Sequence, residues 1–531
     1  MTKRNEQTKL PDLENTNLTI SLTNFEQKLF NHLLAICKYY SLKTTIRVAG
    51  GWVRDKLLGR ESNDIDLALD DMLGSAFGKY VNRYQTEVLK GKETTLAIIK
   101  SNPNLSKHLE TTRMKIFGQW IDFTNLRNDD FAKGEEEVEG CTKEKNENKG
   151  KEEKKKQKQK EKETNREEEK EKEKESEEEE KNENNKTKKH TTSSTGQKIY
   201  LGDPKTDAHR RDLTINTLFY NIHSKSIEDF TGHGIHDLKN GIIRTPLPPL
   251  ETFTDDPLRI LRLIKYSTRY GFQIHEETAK SVNNEKLLHA LRNNISKERI
   301  YGELQSILSS ERPYLGFKKL CKLNIYSAIF YHRDYYQESF TQSTLKNLKK
   351  LKPLLSDIPK TRLPSVILGC LLLPYCKFVM KKKKNTIQMS NVILFQNLCF
   401  PKKLSNQVGL LHQGINQFIE ILPTIEEISR SELGLIVRNY KESWLDIIVL
   451  CKIYSPHSGD FSKITQKIND FQLNDAWNLR PLLNGGDVKR ILQIKKGPLI
   501  GQAIQAAFKH QLDFPNLNKK GIEEFIYNTL K

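Results

Sequence analysis

The chain has 531 residues, too many for one ordinary core, so two to four domains are expected. A formal net charge of +19 suggests an anionic partner such as nucleic acid, although charge of this size also serves plain solubility. Seven cysteines (Cys37, Cys141, Cys321, Cys370, Cys376, Cys399 and Cys451) are scattered without a C-x-x-C pair, which argues against a disulfide framework or a zinc site and fits a reducing compartment.

Residues 1–24 are polar and include Glu6, Asp12 and Glu14, a poor signal or transit sequence. A cytoplasmic or nuclear protein is expected, with mitochondrial sharing left open. Phe25 to Tyr40 has helical spacing through Phe25, Leu29, Leu33, Ile36 and Tyr40. Ile46 to Ala49 is a short strand ending at Gly50-Gly51, a pair that lets backbone N–H groups approach a phosphate without Cβ interference. Trp52 to Leu58 is helical by spacing. Asn63 to Asp70 alternates, with Asp64, Asp66 and Ala68 on one face and Ile65, Leu67 and Leu69 on the other. Two adjacent carboxylates repel unless a cation joins them, and Mg²⁺, which takes one or two carboxylates plus substrate phosphates, suits the pair. A polar strand face beside an ordinary glycine turn would carry the same residues.

Leu96 to Ile99 and Ile116 to Leu126 read as strands. In the second, Asp122 alternates with Ile121 and Phe123, so it is either a third carboxylate or a solvent-facing position. Glu135 to Lys189 is almost entirely Glu, Lys and Asn; with nothing to bury, it is expected to be disordered or at most a solvated helix.

Asp207 to Asn221 places Arg210, Arg211 and Asp212 before an expected helix with apolar Leu213, Leu218 and Phe219. Adjacent guanidiniums suit a polyphosphate, and Asp212 and Asn216, four apart, suit a ribose; a basic helix start on an ordinary surface is the alternative. Asp229 to Arg244 carries His233 and His236, but no further ligand completes a metal site. In Asp255 to Phe272, Asp256 and Pro257 are a helix-start signature, and Arg259 lies three residues on from Asp256, so the two also suit a planar group.

From Glu311 onward the chain reads as amphipathic helix without strand alternation. Its best apolar run, Val366 to Leu373, stops at Pro374, far short of the ~20 residues a membrane span needs, so no membrane partner is expected. Lys381 to Lys384 reads as a solvated loop or an import signal. Leu482 to Ile504 sets glycine turns between short helices beside Lys489, Arg490, Lys495 and Lys496, the makings of a grip on a phosphate backbone.

No G-x-x-x-x-G-K-[ST] is present, so a P-loop does not explain the glycine turn. The unit GGWVRDKLLGRESNDIDLAL resembles the first motif of class II CCA-adding tRNA nucleotidyltransferases, in the DNA polymerase β superfamily. DAHRRDLTINTLFYN, DFTGHGIHDLKNGIIR, DDPLRILRLIKYSTRYGF and SKERIYGELQSIL resemble the four motifs that follow, in family order. The resemblance implies an α+β fold: a polymerase-β-type head with a mixed sheet and helices, then an all-α neck, body and tail. The expected limits are a polar extension at 1–24, a head at 25–245 interrupted by a low-complexity insert at 134–198, a neck at 246–310, and a body and tail at 311–531.

By the same resemblance, Asp64 and Asp66 hold Mg²⁺ with Asp122 in support, and Gly50, Gly51, Arg54, Arg210, Arg211, Asp212 and Asn216 bind the nucleotide. Asp256 and Arg259 read its base, braced by Glu298 and Arg299. The implied activity is addition of CCA to tRNA from CTP and ATP without a template and without a side-chain general base. Poly(A) polymerases of the bacterial type resemble the same head and would use ATP alone. A non-catalytic RNA-binding protein on a degenerate head is a reading of a different class, against which the intact Asp64, Asp66, Arg211 and Arg259 speak.

Overall fold

The computed structural model describes residues 19–62, 64–99, 111–126, 190–192, 198–200, 202–382, 385–455 and 459–530. Most of the charged insert expected at 134–198 therefore lies outside the described residues; at its end, β6 (His190–Thr192) and β7 (Lys198–Tyr200) pair antiparallel. The chain divides into two compact units, Met1–Thr252 with Gly271–Thr278, and Phe253–Tyr270 with Ala279–Lys531.

In the first unit, helix α1 (Asn24–Tyr39) starts at a capping box in which Thr23 and Glu26 satisfy each other's backbone N–H. It buries Leu29, Phe30, Leu33, Ile36 and Cys37. The Glu26 carboxylate is buried too, and is satisfied by Trp52 Nε1 at 2.8 Å and Lys56 Nζ at 3.0 Å from the next helix, α2 (Gly51–Leu57). Strands β1 (Ile46–Ala49), β2 (Asp66–Leu69), β3 (Ala97–Ile99), β4 (Thr111–Ile116), β5 (Gln119–Asn125), β8 (Phe219–Asn221) and β9 (Ser226–Glu228) form one mixed sheet in the order β3-β4-β5-β2-β1-β8-β9. Only β2 and β5 run parallel in it among the described residues. One face of the sheet packs Ile46, Val48, Leu67, Leu69, Met114, Ile116, Ile121 and Phe123 into the core, where α3 (Gly74–Glu87) sets Phe77 against Phe123.

Three sequence expectations change here. Ile116 to Leu126 is not one strand: Phe117 and Gly118 both take positive φ, the primed hairpin geometry, and turn β4 into β5. The helix expected after Asp212 is only a 3-10 turn, Thr214–Asn216, followed by β8. Local side-chain bonds hold that turn, Thr217 Oγ1 to Thr214 O (2.7 Å) and Asn216 Nδ2 to Asp212 Oδ1 (3.0 Å). Arg210 and Arg211 instead close the preceding helix, Pro204–His209.

The second unit is mainly helical. Arg259–Arg269 packs Ile260, Leu261, Leu263 and Ile264 against Lys297–Leu308 and Pro313–Lys322. Val366 to Leu373 is fully buried, most of it in the Leu363–Leu371 helix, and among the described residues no helix is long and apolar enough to cross a membrane. The body is not all helix: Val379–Lys382 and Asn385–Gln388 form an antiparallel hairpin where the Lys381 to Lys384 loop was expected. β-Branched and alternating residues on either side of the lysines favour the ladder. The last helices, Gly485–Leu492, Pro498–Asp513 and Lys519–Leu530, enclose their own core of Val488, Leu492, Ala503, Ala507, Ile522 and Ile526, leaving Lys489, Lys495 and Lys496 exposed.

Candidate active site

Register builds the acidic centre. Parallel pairing sets Asp66 opposite Asp122, and antiparallel pairing sets Arg113 opposite Asp122, so all three project from the same, open face of the sheet. Asp64 lies exposed just ahead of β2. Burial, then the neighbouring Asp64 and Asp122 charges, push the Asp66 carboxyl up to about 6, while Arg211 and Arg113 pull it back. Asp122 is held in a two-pronged pair by Arg113, Nε to Oδ1 at 2.6 Å and NH2 to Oδ2 at 2.5 Å. Arg113 escaped the sequence reading, although the outward alternation Thr111, Arg113, Lys115 announces it.

The glycine turn lies between β1 and α2. Gly50 has φ +63°, and a Cβ there would come 2.6 Å from Arg211 NH1. The Arg211 guanidinium fills that space, bonded to Asp207 Oδ2 at 2.9 and 2.8 Å and to Asn216 O at 3.2 Å, and lying 5.0 Å from the Phe219 ring. It stays half-buried, as does Arg210. Arg54 is buried beneath the turn, its guanidinium on both Asp55 oxygens at 3.0 Å and on Asn216 Oδ1. Asp212 and Asn216 are buried and bonded to each other. Gly50, Gly51, Arg54, Arg211, Asp212 and Asn216 thus come together at the turn, with Arg54, Asp212 and Asn216 as the floor, while Arg210 is placed at the end of the Pro204–His209 helix.

In the second unit, Asp256 and Arg259 each take a different partner from the other. Asp256 Oδ1 accepts from Leu258 N (3.1 Å), closing a turn so that the helix begins at Arg259 rather than Pro257, and Oδ2 receives Arg299 NH2 at 2.7 Å. Arg259 pairs with Asp255 at 2.6 Å. Arg299 thus touches the residue it was expected to brace, whereas Glu298 is exposed and accepts from Cys399 Sγ.

The acidic centre suits a divalent cation. A carboxyl raised by burial and two like charges gains from one, and the oxygen donors are the hard ligands Mg²⁺ prefers. Among the described residues no three His, Cys, Asp or Glu side chains stand ready to share an ion. Asp122 is committed to Arg113.

Residues 46–244 match the poly(A) polymerase head domain, and 271–335 match a probable RNA and SrmB-binding site of polymerase A. The mitochondrial CCA tRNA nucleotidyltransferase of Saccharomyces cerevisiae is 29% identical over 93% of this chain and 91% of its own. Poly(A) polymerase I of Escherichia coli is 34% identical, but over only 26% of this chain and 30% of its own. A Thermotoga maritima CCA-adding enzyme, solved with tRNA, shares the fold at a TM-score of 0.57 over 96% of this chain and 97% of its own, at 18% identity. The fold is that of the poly(A) polymerase head domain followed by helices, as in the CCA-adding enzyme structure. Over nearly its whole length the chain is thus similar to CCA-adding tRNA nucleotidyltransferases.

Proposed function

We propose that this protein adds or repairs the 3′-terminal CCA of tRNA, taking CTP and ATP as substrates and working without a nucleic-acid template. The carrying observation is extent: likeness to the yeast CCA enzyme runs over 93% of the chain, whereas likeness to poly(A) polymerase I stops at 26%.

Asp64 and Asp66 would hold the divalent metal, taken to be Mg²⁺, with Asp122 kept in place by Arg113. Bound there, the metal supplies activation of the RNA 3′-hydroxyl and stabilisation of the leaving pyrophosphate. Gly51 offers its backbone N–H to the triphosphate while Gly50, its own N–H held by Leu218 O at 2.8 Å, gives the turn its left-handed bend, and Arg210 and Arg211 set positive charge where the leaving group gains negative charge. Arg54, Asp212 and Asn216 shape the floor on which phosphates and ribose rest. Asp256 and Arg259 read the base. The exposed lysines of the last helices face the RNA backbone. We place the protein in the cytoplasm or nucleus with a mitochondrial share, which the mitochondrial yeast relative supports.

Pyrophosphate release on tRNA lacking CCA tests this against both alternatives. A CCA enzyme releases it with CTP alone and further with both nucleotides. A poly(A) polymerase needs only ATP, and a non-catalytic binder releases none.

A further inference from the structure

The open face of the head sheet does not end at the carboxylates. Two residues before Asp122 on β5 stands Trp120, and two residues after Arg113 on β4 stands Lys115, directly opposite it in register. Residues two apart on a strand share a face, so this second pair lies about 7 Å beyond the Arg113–Asp122 pair on the same side as Asp66. Trp120 is 52% exposed, and Lys115 Nζ sits 5.0 Å from its ring centroid. A large indole on an open strand face beside three carboxylates, more than half exposed, is accessible to a ligand. It is a flat π surface with a cation over its ring.

Strand order says what belongs there. Across the sheet the sequence is β4-β5-β2-β1-β8, so the glycine turn and Arg211 lie on one side of Asp66 and Trp120 on the other. In phosphoryl transfer the attacking and leaving oxygens stand roughly in line on opposite sides of the phosphorus. With the leaving pyrophosphate toward Gly50 and Arg211, the attacking hydroxyl comes from the β5–β4 side.

We propose that Trp120 and Lys115 form a stacking platform for the RNA acceptor: the indole takes a base near the 3′ end and the ammonium takes the adjoining phosphate. The assignment rests on the function proposed above for the choice of substrate. Base-on-indole stacking tolerates any base, which suits an acceptor end that changes with each addition. The lysine adds a salt-sensitive backbone contact.

The test compares Trp120→Ala, Trp120→Phe and Lys115→Ala with wild type. Loss of one stacked base should raise KM for tRNA lacking its terminal residues about tenfold in Trp120→Ala, and Trp120→Phe should stay within about twofold. KM for CTP and kcat should hold in both. A Trp120→Ala enzyme with unchanged KM for tRNA, or with an equal rise in KM for CTP, overturns the platform. Fluorescence supplies a reading independent of turnover. A short single-stranded oligoribonucleotide, without metal or nucleotide, should quench wild type more than Trp120→Phe, and Lys115→Ala should weaken that quench; equal quenching of wild type and Trp120→Phe overturns the proposal. If wild type extends no tRNA, the proposed function falls, while this difference in quenching still decides on the platform.

Discussion

Asp66 and Asp122 are in-register partners on parallel strands, the one parallel pairing described in a sheet otherwise antiparallel. Two carboxylates are thereby fixed side by side on a rigid backbone, and Arg113 on the next strand holds the second. Replacing Asp64 by Ala or Asp66 by Asn should lower kcat about a hundredfold or more while tRNA affinity stays nearly constant. Asp66→Asn should also stabilise the metal-free protein. A carboxyl raised to about 6 binds its proton more tightly folded than unfolded, so its ionised form costs stability above that pH and nothing below about pH 4. After allowance for partial exposure, the gain at pH 7 is about 1–2 kcal/mol, read as a higher thermal midpoint.

Gly50→Ala should damage fold and chemistry together. The backbone there is left-handed, and the new methyl would displace Arg211 from Asp207 and Asn216. Strain of about 1–3 kcal/mol is expected, with a higher KM for both nucleotides. Denaturant titration and initial rates measure the two effects.

Asp256 should decide which base is accepted. Cytosine and adenine present an amino donor beside a ring-nitrogen acceptor, a pattern that a carboxylate beside a guanidinium matches and that uracil and guanine oppose. Asp256→Asn keeps an acceptor for Leu258 N but loses the charge paired with Arg299. Discrimination of CTP over UTP, as a ratio of kcat/KM, should fall by tenfold or more. Arg299→Ala should move it the same way. An unchanged ratio in Asp256→Asn would leave the residue as a cap alone.

His412 should make the second unit acid-sensitive. It is fully buried, shares a hydrogen bond of 2.9 Å between Nε2 and Gly369 O, and burial lowers its pKa to about 4. A histidine depressed in the fold keeps its full contribution above pH 6.5 and loses it as pH falls toward 4, a change of up to about 3 kcal/mol. Asp446, pushed up to about 6 by burial, contributes in the opposite sense over part of that range. The quantity to read is therefore the difference in unfolding free energy between wild type and His412→Gln from pH 7 to 5, which should narrow on acidification.

Legibility in the sequence followed the range of the interactions. Helix α1, the glycine turn and the acidic strand were plain because capping, glycine and period-two alternation act within a few residues. The turn at Phe117-Gly118 was hidden by a phenylalanine in a positive-φ position. The Thr214–Asn216 turn was hidden by side-chain bonds that outcompete an apolar pattern read as helical. Partners were least legible of all. That Asp256 meets Arg299 across 43 positions, or that Arg113 takes up Asp122, depends on packing and strand register.

One protein is expected to build a defined three-nucleotide end without a template. Sequencing the 3′ ends of tRNA transcripts lacking CCA, after incubation with the full-length protein, Mg²⁺, CTP and ATP, tests it most directly. The ends should read C, CC and finally CCA, and stop there. Runs of adenosine, or ends left unextended, would contradict it.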